Sequence, residues 1–269
     1  MIDIEATVAA ILAQPELLTL SLVEVHFPTF LSDEGHRADY IKQMQQLGSP
    51  AIPYEYQPDN PLSIYHTVMV LSNLLDLDAE DSTLAEELTD WLVNRHQQGW
   101  WSNPELQQIT VPAWHRPDNL TNQIFITALT AGTLARIHLY PVDQVLQQAL
   151  DRLDTVRSDN GALFGIPQST WLLTPAVARI RGLTGSAFLQ QWSLLDQYVK
   201  QNELSTTLTV ARMLTAAAVE IEDPLLQRAV RIIKSHYHEG ANPGWYINDE
   251  FSPRSSLAAL LVLKYTNSK

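Results

Sequence analysis

Two acidic residues, Asp59 and Asp118, stand just before long segments without charge, each within a Pro-Asp-Asn tripeptide. His115 lies three residues before Asp118. A carboxylic acid that burial keeps protonated can donate a proton to an alkene or an epoxide and start a carbocation cyclisation. We therefore predict that Asp118, His115 and Asp59 are catalytic. The alternative is that Asp or Asn side chains cap the backbone N–H groups of the helices that follow.

A further acidic residue, Asp249, precedes the last segment without charge, and Arg254 follows it. Two carboxylates that face each other across a groove are the groups that cleave glycosidic bonds. Asp249 is therefore predicted to be catalytic as well, with Asp118 as its partner if the chemistry is that of sugars. A solvated turn is the alternative for this segment.

Aromatic and polar side chains on the charge-free segments and the loops beside them predict a ligand cavity. Aromatic faces stabilise cations, as carbocation chemistry requires, although aromatic rings on buried helices also fill ordinary cores. For the histidine within a charge-free segment, the alternative is a buried neutral ring satisfied by a hydroxyl. The predicted substrate-binding residues are Tyr65, His66, Trp114, Phe125, Trp171, Trp245 and Arg254.

We expect no metal and no cofactor. The chain has no cysteine, and no pair of histidines has the His-Glu-x-x-His spacing of a zinc helix. On a helix, His236 and His238 would point to different faces. Glycine-rich loops of the kinds that bind nucleotides are also missing from the sequence.

Charge and hydropathy restrict the partners. The net charge is −13 over 269 residues, which repels phosphate backbones and predicts no nucleic acid partner. No apolar run reaches the roughly 18 residues that suggest an integral membrane segment, and no basic leader is seen. We expect a cytoplasmic protein whose partner is a hydrophobic small molecule. The sequence does not determine the oligomeric state.

Helical patterns dominate, and two kinds of helix alternate along the chain. Charged segments with one apolar face are typical of surface helices and cover 35–47, 82–98, 142–157, 186–201 and 224–238. A helix without a charged face is normally surrounded by protein. Segments of this second kind cover 61–75, 119–135, 168–178 and 255–263, with Arg212 the one charge within 204–219.

The alternation predicts an all-α fold of the α/α toroid type. Charge-free helices would form an inner ring and charged helices an outer ring, in about six pairs once 4–14 and 16–25 are added. We predict a single domain that spans 1–269. The alternative is an irregular helical bundle or a solenoid.

Loops with glycine and an aromatic residue follow three of the charged segments, at 98–101, 160–165 and 240–245. Glycine there is expected to end a helix in the left-handed conformation, with the aromatic ring covering the helix end. In these loops the sequence resembles the repeats of terpenoid cyclases and protein prenyltransferases, which carry Gln and then Gly-x-Trp after an outer helix. The segments 91–101 and 232–245 are the most similar to this pattern.

The resemblance implies an isoprenoid-processing protein with a hydrophobic cavity, and metal-independent, protonation-initiated cyclisation as its activity. Both families' catalytic motifs are missing, however. The zinc-dependent prenyltransferases use a cysteine, which this chain lacks, and the Asp-x-Asp-Asp of class II cyclases has its nearest counterpart at 76–81, at the wrong end of a charge-free helix. Two alternatives therefore stay open: a non-catalytic lipid- or protein-binding toroid, and a carbohydrate-active toroid (a glycosidase or lyase).

Overall fold

A computed structural model describes residues 2–31, 35–48, 50–201 and 203–267, apart from the side chain of Trp114. The fold is mostly helical with one small antiparallel sheet, which confirms the predicted all-α class. The helices are α1 (Ile4–Leu12), α2 (Leu17–His26), α3 (His36–Leu47), α4 (Ile64–Asp76), α5 (Thr83–Arg95), α6 (Leu120–Leu134), α7 (Asp143–Asp154), α8 (Pro167–Leu172), α9 (Thr174–Arg181), α10 (Ser186–Val199), α11 (Leu204–Ala216), α12 (Pro224–Ser235) and α13 (Pro253–Asn267). The strands, in sheet order, are β1 (Tyr237–His238), β2 (Gly244–Ile247) and β3 (Glu250–Phe251).

None of the helices in the described ranges combines the length and the apolar character that crossing a membrane requires.

Contacts divide the chain into two compact units. One is Ile41–Gln191, and the other joins Met1–Tyr40 to Trp192–Lys269. Both boundaries fall inside helices, at α3 and α10. The single domain over 1–269 stays a prediction.

In the unit Ile41–Gln191, α6 is the central helix and packs on α4, α7, α8 and α9. Its residues 127–135 are all buried, and α4 has no exposed residue. These are two of the helices without charge, so the prediction that such helices are surrounded by protein is confirmed for them. The α6 backbone passes so close to α8 that a Cβ on Gly132 would lie 1.8 Å from the Leu172 carbonyl oxygen. Only glycine fits at that position.

In the other unit, α13, which contains the charge-free segment 255–263, is the helix that most other elements contact. Helix α13 packs on α1, α2, α11 and β2, and α11 packs on α12. The charged helix α12 buries a single stripe that includes Leu226, Val230 and Ile233. Helix α7 of the first unit likewise buries Leu146, Leu150 and Leu153. These two charged helices therefore have the amphipathic burial that their sequence predicts, whereas α3 buries Tyr40 alone.

The charge-free segment 168–178 was predicted as one helix but forms two, α8 and α9. Pro175 lies in the first turn of α9. Proline has no N–H, and its ring clashes with the carbonyl four residues earlier, so a continuous helix through this point is disfavoured. The prediction for 224–238 also ran too far, because α12 ends at Ser235 and His238 belongs to β1.

A hydrogen bond of one type joins the loops to the charge-free helices in both units. A buried backbone N–H in the loop donates to a Ser or Thr hydroxyl on the helix, and the hydroxyl belongs to the fourth residue of the helix in three of four cases. The pairs are Ile52 with Thr67 (3.0 Å), Trp101 with Thr127 (3.1 Å), Leu163 with Thr170 (3.0 Å) and Trp245 with Ser256 (2.9 Å). These Ser and Thr side chains thus anchor the loops to the helices.

The tryptophans of these loops pack against the preceding charged helices, as predicted. The Trp101 indole N–H donates to the Leu92 carbonyl of α5 at 2.7 Å, and that of Trp245 donates to the Ile233 carbonyl of α12 at 2.6 Å. Both side chains are fully buried. The two contacts are equivalent, since each joins a loop tryptophan to the last turn of the charged helix that precedes it.

The predicted role of glycine in these loops is wrong. Helix α5 ends at Arg95, before Gly99 is reached. Gly99, with φ 86°, lies instead in a tight turn where Gln97 and Trp100 exchange backbone hydrogen bonds of 2.9 Å. The left-handed conformation is therefore needed for the turn and not for the helix end.

Replacing Thr127 by Val tests the loop anchor. Thr127→Val keeps the shape of the side chain but leaves the buried N–H of Trp101 without its acceptor, and we expect the free energy of unfolding to fall by about 1–3 kcal/mol. Urea denaturation measures this change. The matched control is Thr130→Val on the same helix, since Thr130 Oγ1 only donates to the Ile126 carbonyl of its own helix. Equal effects of the two substitutions would contradict the anchoring role.

Candidate functional site

Five aromatic and imidazole rings of the unit Ile41–Gln191 form a cluster around His66 and His115, here called the tyrosine–histidine cluster. His66 touches the rings of Tyr54, Tyr56 and Tyr65 at centroid distances of 5.2, 5.0 and 5.3 Å. His115 lies 4.9 Å from Tyr65, 5.3 Å from Tyr54 and 5.9 Å from His66. Ring contacts thus connect all five side chains, and each histidine is only 7% exposed.

The first turn of α4 positions two members of the cluster, Tyr65 and His66. Ser63 caps this helix by accepting a hydrogen bond from the His66 N–H. The Asn103 Oδ1 accepts from the Ile64 N–H at 2.5 Å, and its Nδ2 donates to the Leu62 carbonyl at 2.8 Å. These side chains satisfy N–H groups that a helix start leaves without intrahelical partners.

Asn103 is held in turn by a charged pair. Its Nδ2 also reaches Glu105 Oε2 at 3.4 Å, and Glu105 forms an ion pair with Arg95 of α5. Burial raises the pKa of Glu105, but the hydrogen bond and charge of Arg95 outweigh it and lower the pKa overall. The start of α4 is therefore tied to α5 through an ionised carboxylate.

Hydrogen bonds assign the protonation of the His66 ring. Its Nε2 lies 3.3 Å from the backbone N–H of Glu55, which can only donate, so Nε2 carries no proton. Its Nδ1 lies 2.9 Å from Ser63 Oγ and is the protonated nitrogen that donates to that hydroxyl. The ring is therefore neutral, in the Nδ1–H form.

Burial keeps the two histidines and the tyrosines Tyr54 and Tyr65 of the cluster uncharged at neutral pH. It lowers the pKa of His115 to about 4, with a smaller contribution from nearby His66. It lowers the pKa of His66 as well, against the opposing charge of Glu55. Burial also raises the pKa of the Tyr65 and Tyr54 phenols. Both imidazoles are therefore neutral and both phenols are protonated, so the cluster offers neutral hydrogen-bonding groups.

A small cavity lies next to His115 and Tyr65, and an open groove lies beside it. The cavity measures about 20 Å³, room for a single water molecule. The groove measures about 310 Å³, at the lower end of the range of small-molecule sites, about 300–1,000 Å³. Leu106, Arg116 and Pro117 line both spaces. Together they are a concave site beside the cluster. The cavity is mostly apolar, whereas the groove is mixed and is lined by Gln107, Thr110, Arg116 and Asp118 as well as by apolar side chains.

The sequence-predicted residues Tyr65, His66 and His115 are brought together at this site. His66 is the buried neutral histidine that the sequence offered as an alternative, bonded to the Ser63 hydroxyl. His115 ends a short 3-10 helix, Ala113–His115, and is buried rather than solvated. The side chain of Trp114 lies outside the described part of the chain.

The predicted acids Asp59 and Asp118 are both exposed. Neither makes the hydrogen bond that caps the helix after it, because Ser63 caps α4 and the Asn119 side chain caps α6 by accepting from Thr121 N–H. Asp118 borders the groove. Asp59 lies on the loop that precedes Ser63. Their predicted catalytic roles stay predictions, but neither side chain has the burial that a proton donor of this type requires.

Three predicted residues belong to the other unit. Trp245 is fully buried in the loop anchor described above. Asp249 is exposed, with φ 66°, in the turn between β2 and β3. Arg254 forms an ion pair with Glu16 at the edge of an open groove of about 540 Å³. The proposed pairing of Asp118 with Asp249 stays a prediction.

Phe125 and Trp171 lie in the same unit as the cluster but do not line its cavity or its groove. Phe125 is partly buried on α6, and Trp171 is buried on α8. The interpretation of these rings as core residues fits their positions.

Sequence reasoning missed Tyr54, Tyr56, Asn103 and Arg116. A usable signal was present for the tyrosines, since Tyr54-Glu55-Tyr56 stands shortly before the charge-free helix that begins with Tyr65 and His66. Asn103 had none, because its two partners at the start of α4, the Ile64 N–H donor and the Leu62 carbonyl acceptor, lie about 40 positions earlier in the chain.

The described residues contain no group of three or more His, Cys, Asp or Glu side chains that could hold a metal ion. No protein-family model matches the chain, and no curated protein sequence is similar to it.

Acidification tests the neutral state of His115. Because its pKa is about 4 in the folded chain and about 6.5 when unfolded, the unfolded state binds more protons between these values. We therefore expect stability to be complete above pH 6.5 and to fall by up to about 3 kcal/mol as the pH decreases towards 4. Urea denaturation across this range measures the decrease.

His115→Phe should flatten this part of the stability profile, since it removes the titrating group but keeps a ring. The exposed His138 of the same unit is the control, and His138→Gln should leave the profile unchanged. A profile of His115→Phe that matches the wild type would show that His115 is not held neutral by the fold.

Proposed function

We propose that this protein binds an elongated apolar small molecule with an anionic end group, and that it holds this ligand without transforming it. The observation that carries the proposal is the chemistry of the site. Buried neutral imidazoles and phenols lie beside a groove that combines an apolar wall with the guanidinium of Arg116, while the predicted acids Asp59 and Asp118 are exposed.

The proposed architecture is the double ring of about six helix pairs that the resemblance to terpenoid cyclases and protein prenyltransferases implies. Its support is the burial of the charge-free helices and the repeated loop anchors in both units. The same resemblance makes an isoprenoid chain the proposed apolar part of the ligand.

The groove offers separate places for the two ends of such a ligand. Leu106, Ile109 and Val111 form an apolar wall that includes a buried contact with Tyr54. Arg116, which is exposed, and Asp118 are the charged side chains among the described residues that line the cavity and the groove. An apolar chain would lie along the wall, and a carboxylate would pair with the Arg116 guanidinium.

Arg116 is well placed for this role because its backbone is fixed. The Asn122 Nδ2 donates to the Arg116 carbonyl at 3.0 Å and to the Ala113 carbonyl at 2.6 Å. A guanidinium on a fixed backbone loses less freedom when it binds an anion.

Binding is favoured over proton-initiated cyclisation for a physical reason. A cyclase of that kind needs a carboxylic acid that stays protonated at neutral pH, which requires removal from water. Exposed Asp118 is in contact with water at the edge of the groove. A neutral imidazole whose pKa is about 4 is also a poor proton donor to a hydrocarbon.

The test compares two probes of one length, farnesoic acid and farnesol, by isothermal titration calorimetry at neutral pH. We expect saturable binding of both, with the acid bound more tightly. Arg116→Gln should weaken binding of the acid about tenfold, the loss of one charge-assisted contact, and leave farnesol binding nearly unchanged. Arg231→Gln, the same substitution at an exposed position on α12, is the control and should change neither.

A second substitution fills the groove without touching the core. Thr110 is exposed and lines the groove, so Thr110→Trp should block both probes while the protein stays folded. If the wild type binds neither probe, the proposal is rejected. Mass analysis of the mixture after incubation would reject the non-catalytic part if it detected a rearranged or cyclised product.

A further inference from the structure

Two neighbouring residues beside the tyrosine–histidine cluster have a strained backbone. Glu55 has φ 52° and ψ 25°, and Tyr56 has φ 55°. Residues other than glycine, asparagine and aspartate rarely occupy this left-handed region, and two such residues in succession persist only where the surroundings hold them. Glu55 is exposed and Tyr56 is 39% exposed, so packing alone does not fix the segment.

The strained residues lie in a closed loop, 53–61, whose base is firmly paired. Pro53 and Leu62 form an antiparallel bridge, and the Tyr54 N–H donates to the Pro61 carbonyl at 2.9 Å. The Asn60 Nδ2 donates to the Tyr54 carbonyl at 3.0 Å. The base can therefore stay in place while residues 55–59 move.

At the strained point, the Glu55 N–H donates to His66 Nε2 at 3.3 Å. His66 cannot turn away, because its Nδ1 is bonded to Ser63 Oγ and its ring is enclosed by other rings. The bond exists only while Nε2 carries a lone pair. A protonated imidazole has N–H donors on both nitrogens. Its Nε2–H would then point at the Glu55 N–H, and no hydrogen bond could form between the two donors.

We propose that loop 53–61 is a lid latched by neutral His66, and that protonation of His66 in mild acid breaks the bond to Glu55 and opens the lid. Glu55 and Tyr56 then relax out of the left-handed region, which favours the open state. Titratable groups face His66 from each element around it: Tyr54, Glu55 and Tyr56 on the loop, Tyr65 on α4, and His115 on its 3-10 helix.

The lid borders the proposed binding site through Tyr54, which packs against Leu106 and Val111 of the groove wall. Opening of residues 55–59 would leave the Tyr54 ring on this wall, because its backbone belongs to the paired base of the loop. The latch therefore concerns the protein without a ligand and does not depend on the proposed function.

The direction of the pH effect follows from the surroundings of His66. Burial lowers its pKa below 6.5, and the Glu55 carboxylate opposes that decrease. The lid is therefore closed at neutral pH and opens as the pH falls through the lowered pKa. Tyr54 and Tyr65 stay protonated throughout, because burial raises the pKa of both phenols.

The first measurement is NMR of the protein without a ligand. Imidazole nitrogen shifts should show His66 in the Nδ1–H form at neutral pH, and the hydrogen-exchange protection of the Glu55 amide should fall about tenfold for each pH unit below the pKa of His66. Exchange rates are divided by the intrinsic rate at each pH. Protection that does not change with pH, or a His66 ring protonated on Nε2 at neutral pH, would overturn the latch.

Two variants separate the latch from general destabilisation. In His66→Gln the side-chain oxygen can accept from the Glu55 N–H but does not titrate, so protection should persist into acid. Glu55→Gln keeps the backbone and removes the charge that raises the His66 pKa, so the opening midpoint should move to lower pH. A midpoint that stays in place or moves upward would contradict the proposal even if His66→Gln fails to fold.

Calorimetry with farnesoic acid distinguishes the two proposals. If the Glu55 amide shows pH-dependent protection but farnesoic acid does not bind at neutral pH, the proposed ligand is rejected and the lid is retained. Binding at neutral pH without pH-dependent protection at Glu55 rejects the lid and leaves the ligand.

Discussion

A backbone N–H that is buried without an acceptor costs about 1–3 kcal/mol, and this constraint explains how the loops join the helices. Four loops place such a donor against a helix that contains one of the charge-free segments, and a Ser or Thr hydroxyl of that segment accepts the hydrogen bond each time. A hydroxyl is small enough to leave the helix closely packed and polar enough to satisfy the loop. The hydroxyl residues therefore let the charge-free helices be buried and hold loops at the same time.

The candidate site depends on the same constraint at the start of α4. Ser63 and Asn103 satisfy N–H groups of the first helical turn, and Ser63 also fixes the His66 ring. Beside these engaged polar groups lie the neutral imidazoles of His66 and His115 and the phenols of Tyr54 and Tyr65. The charged residues that line the groove, Arg116 and Asp118, are found at exposed positions outside this cluster.

Helix positions followed well from the sequence where periodicity and charge were decisive, as in α7 and α12, whose apolar stripes are buried. Predictions failed where one residue outweighed the pattern. Pro175 divides a charge-free segment, and Gly99 serves a turn after α5 rather than the end of that helix. Of the predicted site residues, His66 and Tyr65 share a helix turn and were bound to be neighbours, but nothing local required His115 to join them.

The sequence by itself determined the helical class, the two kinds of helix and the burial of the charge-free kind, because these follow from side-chain polarity at helical spacing. Tertiary structure alone decided that His115 and Tyr54 lie against His66, and that Asp118 is exposed. It also decided the neutral state of the histidines, since the pKa shift arises from burial by residues distant in the chain. Contacts between distant segments depend on how helices pack, and no local pattern of residues specifies that packing.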